Sequence, residues 1–286
     1  MRILAPLMAT TERTPLGGLW TTWSPEARRL LQDLTDVTDC LPEPALVRFG
    51  DGEYDYTLDL SRTERLGPNL AARLAAFGRG LHRLATPSPI LFSNLLGPNI
   101  SRPALRVALA GARTTIVQLT GDQRSAIYAP LGIVGETEQE EFPLHADLYP
   151  PALLLNVFDD VPDDDSGASI FLPAAKLTRA VGELLDMPNL VKREIADCLT
   201  RSASEDRYER FYDLLHGDHP WTERLEHTME ANCVTVRLCR GEGYLIHDRY
   251  WLHGRTAPTG GVPRDRLHRL IFDNESTFAE RKRDVR

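Results

Sequence analysis

The stretch 142-FPLHADLYPP-151 places a histidine and an aspartate two residues apart in an apolar run that ends in paired prolines. In an extended strand, residues i and i+2 project to the same face. His145 and Asp147 are therefore expected side by side, with Ala146 turned away. An imidazole and a carboxylate on one face form a two-pronged chelate for a divalent metal of intermediate hardness. A third ligand must come from elsewhere, and 243-GYLIHDRYWLHGR-255 offers two candidates, His247 and His253. A lone His-x-Asp in a β-protein is more often a hydrogen-bonding surface pair, so the reading depends on what accompanies it.

Around this stretch the chain reads as strands divided by polar turns. PLHADLY, ALLLNVF and ASIFLP are strand-like, with the acidic run 159–165 read as a solvated turn. Residues 174–231 carry helical spacing, and NCVTVRL, GYLIHDRYWLHGR and RLHRLIFD close the chain as strands. Toward the N-terminus, 25–35 is an amphipathic helix with Ser24 as N-cap and proline at its first position. Residues 46–60 form a strand and turn, 69–84 a second helix, and 90-ILFSNLL-96 and 114-TTIVQLT-120 short strands. The fold class is α+β. With no repeat and no Gly/Ser/Pro-rich linker, residues 1–286 read as a single domain carrying a helical insertion at about 174–231.

The 33 basic and 41 acidic residues leave a formal charge of −8. No Lys/Arg run is interleaved with aromatics, which argues against a nucleic-acid partner. Neither a signal-peptide core nor a stretch of membrane-spanning length is evident, so a cytoplasmic protein without a membrane partner is expected. The four cysteines are sparse and unpatterned, and read as buried thiols of a reducing compartment.

Two histidines and one carboxylate on one face of a metal leave the remaining positions open, the arrangement of non-haem Fe(II) oxygenases. His-x-Asp is followed by 252-LHGR-255 and then by the basic strand 264-RDRLHRLIF-272. On these residues the chain resembles the Fe(II)/2-oxoglutarate-dependent dioxygenases, in the branch containing taurine dioxygenase and clavaminate synthase. SGASIFLP (166–173) looks like the strand that follows the metal carboxylate there, and the resemblance spans roughly 140–275.

The resemblance implies a double-stranded β-helix, or jelly roll, buttressed by the N-terminal helices, with the insertion near its mouth as a candidate lid. It implies His145, Asp147 and His253 as iron ligands, with 2-oxoglutarate and O₂ as cosubstrates. Ser169 falls where the family often has a threonine that bonds 2-oxoglutarate. An arginine of the basic strand would grip its carboxylate with paired hydrogen bonds: Arg266 first, Arg264 second, and Arg269 also a candidate. Because Asp147 is present, hydroxylation is expected over the halogenation of relatives that lack this carboxylate. Desaturation, cyclisation or epimerisation could use the same ligands. The expected substrate is a small molecule of specialised metabolism such as antibiotic biosynthesis. Glu136, Glu138, Glu140, Glu141 and the aspartates of 159–165 would favour an amine-bearing amino acid or amino-sugar compound if they border the mouth. A non-catalytic jelly-roll binding protein is the alternative from another class. A protein-modifying oxygenase and a zinc hydrolase fit less well.

Overall fold

The computed structural model describes residues 8–13, 19–49, 53–59, 66–84, 90–93, 101–131, 142–147, 153–160, 167–200, 205–238, 241–257 and 266–274. Three helices lie in the N-terminal half, interleaved with strands: α1 (Pro25–Asp36), α2 (Gly67–His82) and α3 (Arg102–Thr120). Ser24 caps α1 as expected, its hydroxyl accepting from the Ala27 N–H at 3.2 Å. The strands are β1 (Met8–Arg13), β2 (Leu19–Trp23), β3 (Ala45–Phe49), β4 (Glu53–Thr57), β5 (Ile90–Ser93), β6 (Ala126–Leu131), β7 (Phe142–His145), β8 (Leu153–Asp160) and β9 (Ser169–Pro173). Helices α4 (Ala174–Glu183), α5 (Asn189–Thr200), α6 (Glu205–His216) and α7 (Thr222–Asn232) make up the insertion. The chain closes with β10 (Val234–Val236), β11 (Gly243–His247), β12 (Trp251–Arg255) and β13 (Arg266–Phe272).

These strands form a seven-stranded sheet, β1-β2-β5-β11-β8-β13-β6, a four-stranded sheet, β10-β9-β12-β7, and the hairpin β3-β4. All pairings are antiparallel except β2 with β5. The architecture is α+β, with seven α-helices among the described residues. None of the described helices is long and apolar enough to cross a membrane.

Side-chain alternation sorts each strand between two environments. On the seven-stranded sheet, Leu155, Val157, Leu245, Leu270 and Phe272 pack with Leu34, Leu74, Leu81 and Ile116 of the N-terminal helices. Their neighbours Leu154, Tyr244 and Ile246 turn the other way and meet Phe171 and Trp251 of the four-stranded sheet. On that sheet's far side, Leu144, Leu172 and Leu252 pack against Leu177, Ile195, Phe211 and Leu225 of the insertion. The molecule is thus layered as helices, sheet, sheet, helices, and the inner layer between the sheets is where polar residues could be held out of water.

Two expectations are corrected. Residues 114–120 are not a strand but the last two turns of α3. This helix starts at Ser101, whose hydroxyl accepts from Ala104 N, and stops at Gly121 in the left-handed region (φ 71°). Thr114, Thr115 and Thr120 donate their hydroxyls to the carbonyls of Ala110, Gly111 and Ile116, so β-branched residues that suggest a strand are accommodated in a buried helix. Second, GYLIHDRYWLHGR is two strands in different sheets, divided by a turn at 248–250. Among the described cysteines, Cys40, Cys198 and Cys233 are free, but only Cys198 is buried and Cys40 is exposed.

Helices α2 and α3 touch through glycine. A Cβ on Gly78 would stand 2.7 Å from Thr115 Cβ and 3.0 Å from Ala112 Cα, neither of which can swing aside. Gly→Ala inside a helix ordinarily gains about 1 kcal/mol. Here overpacking, costing about 1–3 kcal/mol, outweighs it. Gly78→Ala is expected to lower stability by about 1–2 kcal/mol in urea denaturation.

Candidate metal centre

Strands β7 and β12 are neighbours, and their register sets His145 opposite His253. The two rings lie 4.3 Å apart between centroids, both buried. Gly254 permits this approach: a Cβ there would come within 2.5 Å of the Phe142 carbonyl oxygen. The glycine of LHGR therefore lets the two ligand-bearing strands close. Strand β7 ends at His145, so Asp147 is not placed by alternation alone. Its backbone N–H donates to Asp248 Oδ1 at 3.0 Å, and this buried aspartate from the turn after β11 fixes where Asp147 projects.

The ligand atoms of His145, Asp147 and His253 lie within 4.8 Å of one another. His145 Nε2 is 3.3 Å from Asp147 Oδ1, and His253 Nε2 is 3.7 Å from Asp147 Oδ2. Two ligands bound at right angles about 2.1 Å from one ion would stand about 3 Å apart, so these separations suit a shared cation. His145 Nδ1 donates to the Pro143 carbonyl at 2.9 Å, which in a neutral imidazole leaves Nε2 as the nitrogen with a free lone pair. His145 Nε2, Asp147 Oδ2 and both nitrogens of His253 are buried without a hydrogen bond. Orphaned buried polar atoms are costly. Three groups of them, pointed at one spot and made of two imidazoles and a carboxylate, fit a divalent metal.

Charge states agree with that role. Burial first, and then His145 beside it, pushes His253 well below the usual imidazole range, so its ring is neutral and able to ligate. Burial opposes ionisation of Asp147, but chiefly the Arg269 guanidinium holds its carboxyl below the usual range. Asp147 is thus an anion in a buried place.

The facing sheet contributes a second set of polar groups. Arg269 of β13 has Nη1 3.6 Å from Asp147 Oδ2 and donates Nε–H to Asn156 Oδ1 of β8 at 3.3 Å. Asn156 is fully buried. Tyr244 of β11 lies beside Asn156, with its ring 6.4 Å from that of His253. Burial pushes the Tyr244 hydroxyl up to about 12, so it stays protonated. From the insertion, Tyr208 of α6 sets its ring edge-on to His145 at 6.4 Å, and Phe142 does the same at 4.3 Å.

The expected residues are distributed as follows. His145, Asp147 and His253 come together. Arg269 reaches the same place. Arg266 begins β13 at the level of Asp160, three residues from Arg269, and Arg264 lies outside the described residues. Ser169 is buried in β9 opposite Arg255, two positions from the Phe171–His253 pair and so on the same face of its strand. His247 is not a member: its ring packs on Tyr250 at 4.5 Å, its Nδ1 accepts from Arg249 N–H, and burial pushes its pKa down to about 4.

Asp159 is not part of a solvated turn. It is buried, accepting from Arg102 Nε at 2.5 Å and facing His268 Nε2 at 2.8 Å, on the helix side of the sheet. Glu136, Glu138, Glu140, Glu141, Asp163, Asp164 and Asp165 lie outside the described residues. His216 donates Nε2–H to the Leu144 carbonyl at 2.8 Å and fastens α6 to the edge strand β7. The sequence reading did not single out Asn156, Tyr208, Tyr244 or Asp248. Their partners are 101 to 113 residues away for Asp248 and Asn156, and no local spacing announces such pairs.

No protein-family model and no curated protein matches the chain. Among solved structures, it is similar to asparagine oxygenase in complex with Fe(II), 2S,3S-3-hydroxyasparagine and succinate, at 14% identity, covering 89% of this chain and 93% of that one with a TM-score of 0.45. It is also similar to the non-heme iron oxygenase OrfP in complex with Fe, at 13% identity, 94% and 97% coverage and a TM-score of 0.43. At such identities and TM-scores these likenesses carry no weight for mechanism, which rests on the residues above.

Asp147→Ala is expected to weaken divalent-metal binding by more than roughly 100-fold, followed as the visible absorption of added Co(II). His247→Gln should leave that titration unchanged.

Proposed function

We propose that this chain is a non-haem Fe(II)/2-oxoglutarate-dependent oxygenase that hydroxylates an unactivated C–H of a small polar metabolite. The observation that carries the reading is the His145–Asp147–His253 cluster, in which His145 Nε2, Asp147 Oδ2 and His253 Nε2 converge, buried and without a hydrogen bond. On this reading the two facing sheets are a double-stranded β-helix, and residues 1–286 act as one domain. When bound, Fe(II) with 2-oxoglutarate and O₂ supplies an oxidant strong enough to hydroxylate the substrate, with release of succinate and CO₂.

The protein's own residues hold, orient and exclude water. His145 and His253 present imidazole nitrogens, and Asp147 supplies one negative charge and occupies the position that a halide would otherwise take. Of the three arginines, Arg269 is the best supported for the cosubstrate carboxylate. Its guanidinium lies at the cluster, and Asn156 orients it from behind. In the absence of an added anion, its charge is balanced by Asp147. Ser169, on the metal-facing side of β9, is the proposed hydroxyl partner of the cosubstrate. Helix α6 and Phe142 shield the cluster from one side. An amine-bearing substrate in specialised metabolism, and the desaturation or cyclisation outcomes, remain within this reading.

Anaerobic addition of Fe(II) and 2-oxoglutarate should produce a weak visible charge-transfer band, and O₂ should then give succinate. Arg269→Gln should raise the 2-oxoglutarate needed for the band by roughly 30-fold or more, as expected for deleting one side of a charge-assisted carboxylate clamp. An unmodified chain that gives neither band nor succinate would refute the proposal.

A further inference from the structure

Helix α6 carries three rings at one-turn intervals, Tyr208, Tyr212 and His216, which therefore share one helix face. Their centroids are 6.1 Å apart between the tyrosines and 5.0 Å between Tyr212 and His216, a continuous aromatic stripe. The stripe starts at the metal cluster, where the Tyr208 ring meets His145, and runs away from it along the helix. Opposite it stands Phe142 of β7, and between them is a cavity of about 460 Å³, the size of a small-molecule site.

The cavity is not neutral. Glu209 and Asp213 also line it. Asp213 is paired with Arg210 at 2.9 Å, and Arg210 also binds Glu194. Glu209 is exposed and has no ion-pair partner among the described residues, so it offers a negative charge at the wall. Tyrosine faces beside a free carboxylate are the chemistry that recognises an ammonium or guanidinium group, through attraction to the ring faces together with charge. An anion would be repelled by the carboxylate.

Resting on the oxygenase reading, we infer that this cavity is the subsite for the cationic end of the organic substrate, with Tyr208 and Tyr212 as its aromatic walls and Glu209 as its counter-charge. Tyr208 belongs to both places, touching His145 on one side and lining the cavity on the other. It thereby sets the distance between the cation and the carbon presented to the metal. The lock between His216 and the Leu144 carbonyl keeps the stripe in register with the strand that bears His145. This places substrate reading on a helix of the insertion.

The test is anaerobic equilibrium dialysis of the full chain, loaded with Fe(II) and 2-oxoglutarate, against radiolabelled probes in matched pairs. L-Lysine is set against L-norleucine, and L-arginine against L-citrulline, so that each pair differs in its positive charge. At least one cationic member is expected to bind at least tenfold more tightly than its uncharged counterpart. Tyr208→Leu, Tyr212→Leu and Glu209→Gln should each weaken that binding by roughly tenfold, while Tyr208→Phe, which keeps the ring face, should retain it. Binding of neither cation, equal binding of the uncharged members, or unchanged binding in Tyr208→Leu overturns the inference. Succinate release by the unmodified chain without added substrate, measured in parallel, reports on the oxygenase reading separately.

Discussion

The structure turns on one cross-strand register, His145 opposite His253 on β7 and β12. Because alternation assigns every second side chain to the space between the sheets, this register places both imidazoles indoors together. A slip of one residue would send them to the helix side and bring Leu144 and Leu252 inward. Gly254 keeps the strands close enough, and Asp248 catches the chain where β7 ends so that Asp147 completes the cluster. Each of the three side chains would be poorly placed in a dry interior on its own. Together they make a site whose unmet hydrogen-bonding capacity is answered by a cation.

The second sheet makes that site more than a metal trap. Arg269, Asn156 and Tyr244 lie on adjacent strands β13, β8 and β11 and face the cluster across the inner layer. A guanidinium next to an ionised Asp147 keeps the buried charge balanced, and it is a ready partner for a second carboxylate once a metal takes over Asp147. On the other face of the same strand, His268 joins Tyr128, Asp159 and Arg102 in a buried hydrogen-bonded chain that ties β13 to α3. Consecutive residues of one strand thus serve the metal side and the scaffold side.

Much of this was legible in the sequence where the signal is local. The LHGR tetrapeptide, the Ser24 cap and the helical spacing of 174–231 all depend on residues a few positions apart, and each appears where the spacing puts it, whereas Asp147 joins His145 only with the help of Asp248. What was not legible depends on distant partners. Thr114 to Thr120 read as a strand by composition, yet burial against α2 and hydroxyl bonds to the preceding turn carry them as helix. A bulge between Arg266 and Leu267, which no local spacing announces, shifts the pairing of this strand with β8. Asp159 looked like one of a solvated acidic run, because its partners Arg102 and His268 are 57 and 109 residues away. Tyr208 and His216 matter only because α6 folds back on β7.

The most direct measurement of the central claim is the X-ray absorption spectrum of the chain loaded anaerobically with one equivalent of Fe(II). The account predicts an iron coordinated by oxygen and nitrogen alone, with the outer-shell scattering of two imidazole rings, reduced to one in His253→Ala. Iron without imidazole scattering, or a spectrum unaltered by that substitution, would contradict it.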